Sequence, residues 1–351
     1  MTDNTNAKML AMQKEHGPLL EVKDLAIDFT TDTGKPVHAV RDANFTVYPG
    51  QWVAIVGESG SGKSVTASSV IRLLAKTGKI EGGSIEFDGI DMVHVPEREL
   101  LKIRGSDISM IFQDPMSGLD PVFKVGTQMV ELIRAHSDLG KKEAYDRAVE
   151  MLRLVGIPDP AARMDAYPYE LSGGMCQRVI IAMAVSCHPK FIIADEPTTA
   201  LDVTVQSQVL SLLRGLQDEL GTAILLITHN LGIVWEMAND VMVMYAGRTC
   251  EYTSMEELYS NPLHPYTWGL LDSMPRLSDT AKTDLKTIPG VPPDLRLTGT
   301  CCNFCNRCPY ATEECHKRVP ELKEVEPGHF VACLRQDGEH RLVRGEVNDH
   351  E

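Results

Sequence analysis

Eight consecutive residues, Gly57-Glu58-Ser59-Gly60-Ser61-Gly62-Lys63-Ser64, have the G-x-x-x-x-G-K-[ST] spacing of a phosphate-binding loop. Glycines at these positions let successive backbone N–H groups close around a β-phosphate. Lys63 brings a positive charge to the β- and γ-phosphates, and the Ser64 hydroxyl can ligate Mg²⁺. Ser59, Gly60, Ser61 and Val65 complete the expected nucleotide contact. A ligand-free glycine turn is the bland alternative, but the flanks speak against it: an apolar run, Trp52 to Val56, precedes the loop and a helical stretch follows. Further on, Phe191-Ile192-Ile193-Ala194-Asp195-Glu196 reads as an apolar strand ending in two carboxylates. Beside a phosphate loop, Asp195 can hold Mg²⁺ through water, and Glu196 can orient or deprotonate the attacking water.

Leu171-Ser172-Gly173-Gly174-Met175-Cys176-Gln177-Arg178 serves no purpose in a simple phosphate-loop kinase or GTPase, and it resembles the signature motif of ABC ATPases. The resemblance implies that Ser172 and Gly174 complete the phosphate site of an opposite subunit, so that two chains sandwich two ATP molecules. Cys176 departs from the polar or basic residue usual there, with consequences expected for packing only. Other matches follow in chain order. Gln113, in Met110-Ile111-Phe112-Gln113-Asp114-Pro115, looks like the glutamine that touches Mg²⁺ and the attacking water. It is also expected to link the ATP site to a docking groove around residues 114 to 135. Asp202, in Ala200-Leu201-Asp202, looks like part of the loop that crosses the dimer interface, and His229 looks like the histidine that contacts the γ-phosphate. Phe29 sits where an aromatic ring stacks on adenine, although a lone phenylalanine is more often core.

The resemblance covers residues 20 to about 335. Asn261-Pro262-Leu263-His264-Pro265-Tyr266-Thr267 and Pro289-Gly290-Val291-Pro292-Pro293, with a cysteine-rich tail behind them, look like the C-terminal extension of ATP-binding subunits from oligopeptide, dipeptide and nickel permeases. That likeness implies an ATPase powering an importer for peptides, or for nickel or another small solute. The implied partners are two transmembrane permease subunits, a second and related ATPase subunit, and an extracytoplasmic substrate-binding protein. The implied location is the cytoplasmic face of the plasma membrane. A DNA-repair ATPase sharing the signature is a rival reading, as is a ribosome-associated translation factor. The first fits poorly with a formal charge of -15, since a nucleic-acid surface needs a basic excess, and no nucleic-acid partner is expected. The second usually carries two cassettes, and this sequence has one.

Six of the nine cysteines crowd one stretch: Cys301, Cys302, Cys305, Cys308, Cys315 and Cys333. In a chain without a recognisable leader such clustering reads as a metal site before a disulfide framework. Cys302, Cys308, Cys315 and Cys333 match the four-cysteine pattern of the permease extension, which favours a [4Fe–4S] cluster. Tetrahedral zinc remains open, because Cys305 and Cys308 have the two-residue spacing zinc sites also use, as do free cysteines packed as small hydrophobes.

The elements that must position these residues are legible as patterns. Residues 19 to 48 alternate apolar and polar, as half-buried antiparallel strands do. Trp52 to Val56, Phe191 to Ala194 and Ala223 to Ile227 are short continuous apolar runs suited to strands buried on both faces. Val209, Leu210, Leu212, Leu213, Leu216 and Leu220 recur at helical spacing, and Gly221 is placed to end that helix. The fold class predicted is α/β: a phosphate-loop nucleotide-binding domain with an antiparallel β subdomain, a helical insertion and a small cysteine-rich C-terminal extension. The expected divisions are a tail over 1–18 and an ATPase domain over 19–260, with the insertion at about 115–170. A proline-rich linker over 261–300, a cysteine motif over 301–336 and a tail over 337–351 follow. No signal-peptide pattern or run of 18 or more apolar residues occurs, so the expected compartment is the cytosol.

Overall fold

The computed structural model describes residues 17–31, 34–114, 118–199, 201–274, 287–338 and 341–345. Most of the expected N-terminal tail, Pro115 of the docking segment, Ala200, Pro275 and the end of the C-terminal tail lie outside the described residues. Strands β1 (Leu20–Thr30), β2 (Pro36–Val47) and β3 (Trp52–Val56) precede helix α1 (Lys63–Val70). Next come β4 (Gly78–Phe87), β5 (Ile90–Asp91), α2 (Glu97–Ile103), β6 (Ile108–Ile111), α3 (Val125–Ala135), α4 (Lys141–Leu154), α5 (Pro160–Arg163) and α6 (Gly173–Val185). They are followed by β7 (Phe191–Asp195), α7 (Val203–Leu220), β8 (Ala223–Ile227), α8 (Leu231–Met237), β9 (Asp240–Tyr245) and β10 (Arg248–Ser254). Helices α9 (Met255–Ser260) and α10 (Pro265–Asp272) and strands β11 (Lys323–Glu326) and β12 (His329–Val331) close the order. None of the described helices is long and apolar enough to cross a membrane.

Two compact units interleave along the sequence. The first comprises residues up to Leu19, Val47–Trp52 and His94–Ile227. Here β6, β7 and β8 pair in parallel, Ile108 opposite Phe191 and Asp195 opposite Ile227. Every residue of β7 and β8 is buried, which explains runs such as Phe191-Ile192-Ile193-Ala194: a strand covered on both faces has no polar side. Helix α7 starts at Asp202, whose carboxylate accepts from Val205 N at 3.0 Å. It ends at Gly221 in a left-handed conformation, and it buries Val209, Leu210, Leu213 and Leu216. The stretch read as a helical insertion carries α3, α4 and α5, with Met129, Ile133, Ala148 and Met151 among its buried residues.

The second unit comprises Leu20–Thr46, Val53–Val93 and residues from Thr228 onward. Its antiparallel sheet has the order β2-β1-β4-β5. The buried positions of β1 switch parity, from Leu20 and Val22 to Leu25 and Ile27, because the register slips around Asp24. Asp24 adopts φ 48°, and a Cβ on Gly83 would stand 2.5 Å from the Lys23 and Asp24 carbonyl oxygens. The bulge therefore requires glycine opposite it and keeps all four apolar side chains on one face. A second sheet contains β3 parallel to β9, then β10, β12 and β11 antiparallel in turn.

The linker expected over 261–300 needs correction. Residues 265 to 272 form α10, with Pro265 in its first turn, where a missing N–H costs nothing, and His264 Nδ1 accepting from Tyr266 N at 3.0 Å. Tyr266 and Trp268 are buried. Among the described residues of this stretch, 261–264, 273–274 and 287–300 run irregularly. The cysteine motif is likewise built into the unit, since β11 and β12 extend the sheet beside β10.

Candidate functional site

In the second unit, β3 runs into the phosphate loop and α1 leaves it, with Gly62 at the helix N-cap in a left-handed conformation. Lys63 is buried, and its Nζ donates to Gly57 O and Glu58 O, both at 2.8 Å. The loop is pressed against its surroundings. A Cβ on Gly57 would lie 2.1 Å from Met244 O, and one on Gly62 would lie 2.6 Å from Ala39 O. Both glycines are thus demanded by backbone packing as well as by any phosphate. Gly247, at the β9–β10 turn, donates its N–H to Ser61 O at 2.9 Å. Ser61 Oγ is buried with no hydrogen-bond partner among the described residues, the kind of orphan a ligand oxygen satisfies. Ser59, Gly60 and Ser64 are exposed, and Val65 is half-buried. Phe29 is half-buried on β1, its ring lying over Gly78 on β4. His229 is exposed after Thr228, whose N donates to Ile55 O at 3.2 Å.

The carboxylates belong to the first unit. Asp195, the last residue of β7, is buried. Glu196 then turns left-handed, with φ 45°, while its N still donates to Ile227 O at 2.9 Å. A left-handed non-glycine residue costs about 1–2 kcal/mol. Gln113 Nε2 donates to Glu196 Oε2 at 3.0 Å, and Thr199 Oγ1 donates to the same oxygen at 2.8 Å. The structure therefore unites Gln113 and Glu196, and it adds Thr199, which the sequence reading passed over.

Ser172 caps α6, its hydroxyl accepting from Met175 N at 3.3 Å. Ser172 and Gly173 are exposed, and nothing lies within 4 Å of a Cβ placed on Gly173. Gly174 faces Val205 of α7, three residues beyond the exposed Asp202. Cys176 is fully buried, its Sγ bonded to Pro168 O at 3.4 Å, and burial pushes its thiol pKa up. Its role is packing.

In the tail, Cys302, Cys305, Cys308, Cys315 and Cys333 line one cavity. Cys301 does not line it, but its sulfur lies 3.9 Å from that of Cys305. Burial, with neighbouring thiols adding to it, pushes Cys302, Cys308 and Cys333 up to about 12, so the protein alone keeps them as neutral thiols. Between Cys305 and Cys308 sits Arg307, which grips the phosphate loop. Its Nη1 and Nη2 donate to Glu58 Oε2 and Oε1 at 2.7 and 3.0 Å, and Nη1 also donates to Tyr245 Oη at 3.2 Å. Glu58 N donates to Tyr266 Oη at 2.9 Å. Nothing in the sequence pairs residues 249 positions apart, and only an arginine between two cysteines could have raised the question.

A family model described as ABC transporter matches residues 40–199, from before the phosphate loop through Glu196 and Thr199. The oligopeptide transport ATP-binding protein OppD of Salmonella typhimurium is 50% identical over 317 residues, covering 90% of this chain and 93% of that protein. The chain belongs to the ABC transporter family. As an ABC ATPase it also resembles OppD of Haemophilus influenzae, 50% identical over 316 residues, covering 90% of this chain and 97% of that one. The dimeric ATP-binding cassette MJ0796, in a post-hydrolysis state bound to ADP and Pi, is similar with a TM-score of 0.61 at 26% identity, covering 67% of this chain and 98% of that one. A second model, described as the oligopeptide/dipeptide transporter C-terminal region, matches residues 250–315. That match includes α9, α10 and all the clustered cysteines except Cys333.

Proposed function

We propose that this ABC ATPase powers peptide import as one half of a head-to-tail ATPase pair. The pair docks on two transmembrane permease subunits at the cytoplasmic face of the membrane and is served by an extracytoplasmic substrate-binding protein. The peptide cargo is favoured over nickel by the oligopeptide transport relatives and by the C-terminal region match. The observation that carries the paired arrangement is the uncovered first turn of α6, where Ser172 and Gly173 face open space. A helix N-terminus left bare in a single chain is ready to meet a partner's phosphates.

ATP is expected to seat its phosphates among the N–H groups of Ser59, Gly60, Ser61 and Gly62, with Lys63 turning from the loop carbonyls to the β- and γ-phosphates and Val65 flanking them. Phe29 takes the adenine, and His229 the γ-phosphate. Ser172 and Gly174 of the partner close the site, and Asp202 holds the interface turn. Mg²⁺, for which Ser64, Gln113 and Asp195 offer oxygen ligands, supplies neutralisation of phosphate charge when bound. Glu196 accepts the proton of the attacking water while Gln113 and Thr199 hold its carboxylate. The water oxygen bonds to the γ-phosphorus, the bond to the β,γ-bridging oxygen breaks, and ADP departs.

For the cysteine cavity we infer a [4Fe–4S] cluster ahead of zinc, a reading supported by the likeness of Cys302, Cys308, Cys315 and Cys333 to the four-cysteine pattern of the permease extension. Tetrahedral zinc with bonds of about 2.3 Å draws four sulfurs to about 3.8 Å of one another. Among the described residues no three cysteine sulfurs come within 4.8 Å of each other, wider than that tetrahedron. The cluster would be held by Cys302, Cys308, Cys315 and Cys333.

Glu196→Gln tests the catalytic assignment. The variant should bind ATP, turn over about 10²–10⁴-fold more slowly and accumulate closed dimers. Full turnover would remove Glu196 from the role of base.

A further inference from the structure

The β11–β12 hairpin carries a second group of potential ligands, separate from the cysteines. His329, Glu326 and Glu257 each offer one ligand atom, and the three atoms all lie within 4.8 Å of one another. They come from three elements. Glu326 and His329 face each other across the Pro327-Gly328 turn, and Glu257 projects from the first turn of α9. His329 is 1% exposed, and its Nε2 bonds to Glu251 Oε1 at 2.7 Å. Glu251 is itself fully buried and is fixed by the N–H groups of Leu263 and His264 at 2.7 and 3.1 Å. The other ring nitrogen, Nδ1, is buried and has no partner. An imidazole with a carboxylate on one nitrogen and an unpaired nitrogen on the other has the orientation of a metal-bound histidine backed by an outer carboxylate. Orphan nitrogens are costly in a protein interior, and a cation between Nδ1 and two carboxylates would remove that cost.

We propose that His329 Nδ1, Glu257 and Glu326 form a binding site for a divalent first-row transition ion of the zinc and cobalt class, with Glu251 positioning the imidazole. One imidazole and two carboxylates suit such an ion better than Ca²⁺ or Mg²⁺, which prefer all-oxygen shells. Glu257 is exposed and can swing in, and solvent completes the coordination. Glu326 already holds Asn261 Nδ2 at 3.0 Å and Arg341 Nη1 at 3.1 Å, so it enters the site pre-oriented and shares its charge with Arg341. The ion would clamp the hairpin to α9, fastening the chain just before Cys333 to the sheet that also contains β3.

The test uses the full chain, reduced and nucleotide-free, titrated with Co²⁺. Cobalt on imidazole and carboxylates gives weak d–d bands without a thiolate charge-transfer band, so this site is distinguished from cobalt on the cysteines. The expected result is one Co²⁺ per chain with the nitrogen/oxygen signature and a metal-dependent rise in Tm. Glu257→Gln, at an exposed position that leaves folding intact, should weaken that binding about tenfold or more and remove the Tm response. His329→Gln should abolish it, with far-ultraviolet circular dichroism verifying the fold. Cobalt bound only with thiolate bands, or nitrogen/oxygen binding unchanged in Glu257→Gln and Glu326→Gln, overturns the proposal.

Discussion

Replacing Arg307 by alanine should loosen the phosphate loop from a distance. The guanidinium makes two bonds to Glu58, at 2.7 and 3.0 Å, and further bonds to Tyr245 Oη, Pro289 O and Ile288 O at 3.2, 2.8 and 3.1 Å. Its side chain is 6% exposed and that of Glu58 is 28% exposed. The hydrogen bonds the guanidinium donates to Glu58, ahead of that to Tyr245, push the arginine pKa still higher against burial. Breaking a fully buried pair from one side costs about 3–5 kcal/mol. Water reaches Glu58 in part, so about 3 kcal/mol is the expected loss of stability. Glu58 lies inside the loop and its carbonyl accepts from Lys63 Nζ, so the same change leaves the nucleotide to order the loop itself. If about half of that loss must be restored on binding, ADP affinity falls about tenfold. Arg307→Lys keeps the charge but not the fork, and should recover less than half of either effect. Thermal unfolding and calorimetric titration of ADP measure the two quantities, and a double-mutant cycle with Glu58→Gln isolates the pair. Wild-type ADP affinity in a destabilised Arg307→Ala would refute the link between tail and loop. Wild-type stability would refute the energetic argument as a whole.

Asp28 offers a pH test. Burial works against its ionisation, but hydrogen bonds from His38 and Arg41, the latter also pairing at 2.7 Å, hold its pKa below the usual carboxylate range. The wild type should therefore exceed Asp28→Asn by about 1–2 kcal/mol above pH ~4, and the difference should fade as pH drops through the lowered pKa. A pH-independent difference would exclude the ion pair as its source. For the cysteine cavity, anaerobically purified protein should be brown and contain iron, and replacing Cys302 or Cys333 by serine should remove both. Zinc without iron on elemental analysis would reject the cluster.

The motifs that do chemistry were readable because they are local. A phosphate loop, a strand ending in Asp195-Glu196 and a helix opening with Ser172-Gly173-Gly174 each place their atoms within a few residues, so spacing specifies much of their geometry. The buried strands were readable for a related reason, since β3, β7 and β8 need apolar residues on both faces. The segment after residue 260 misled because proline was taken as a breaker. Pro265 instead occupies the first turn of α10, a position that proline suits.

Contacts between distant parts of the chain escaped the sequence. Arg307 meets Glu58, Glu251 meets His329, and Thr199 joins Gln113 on Glu196, and no periodicity announces any of them. A charge or an imidazole in a sequence looks like an ordinary surface residue. Only the fold reveals which of these groups have left water, and a polar group taken out of water must find a partner wherever the chain brings one. The sequence alone determined what chemistry the chain carries and roughly along which elements. The tertiary structure decided which polar groups are held in pairs, which are left unpaired, and how Arg307 of the cysteine tail grips the phosphate loop.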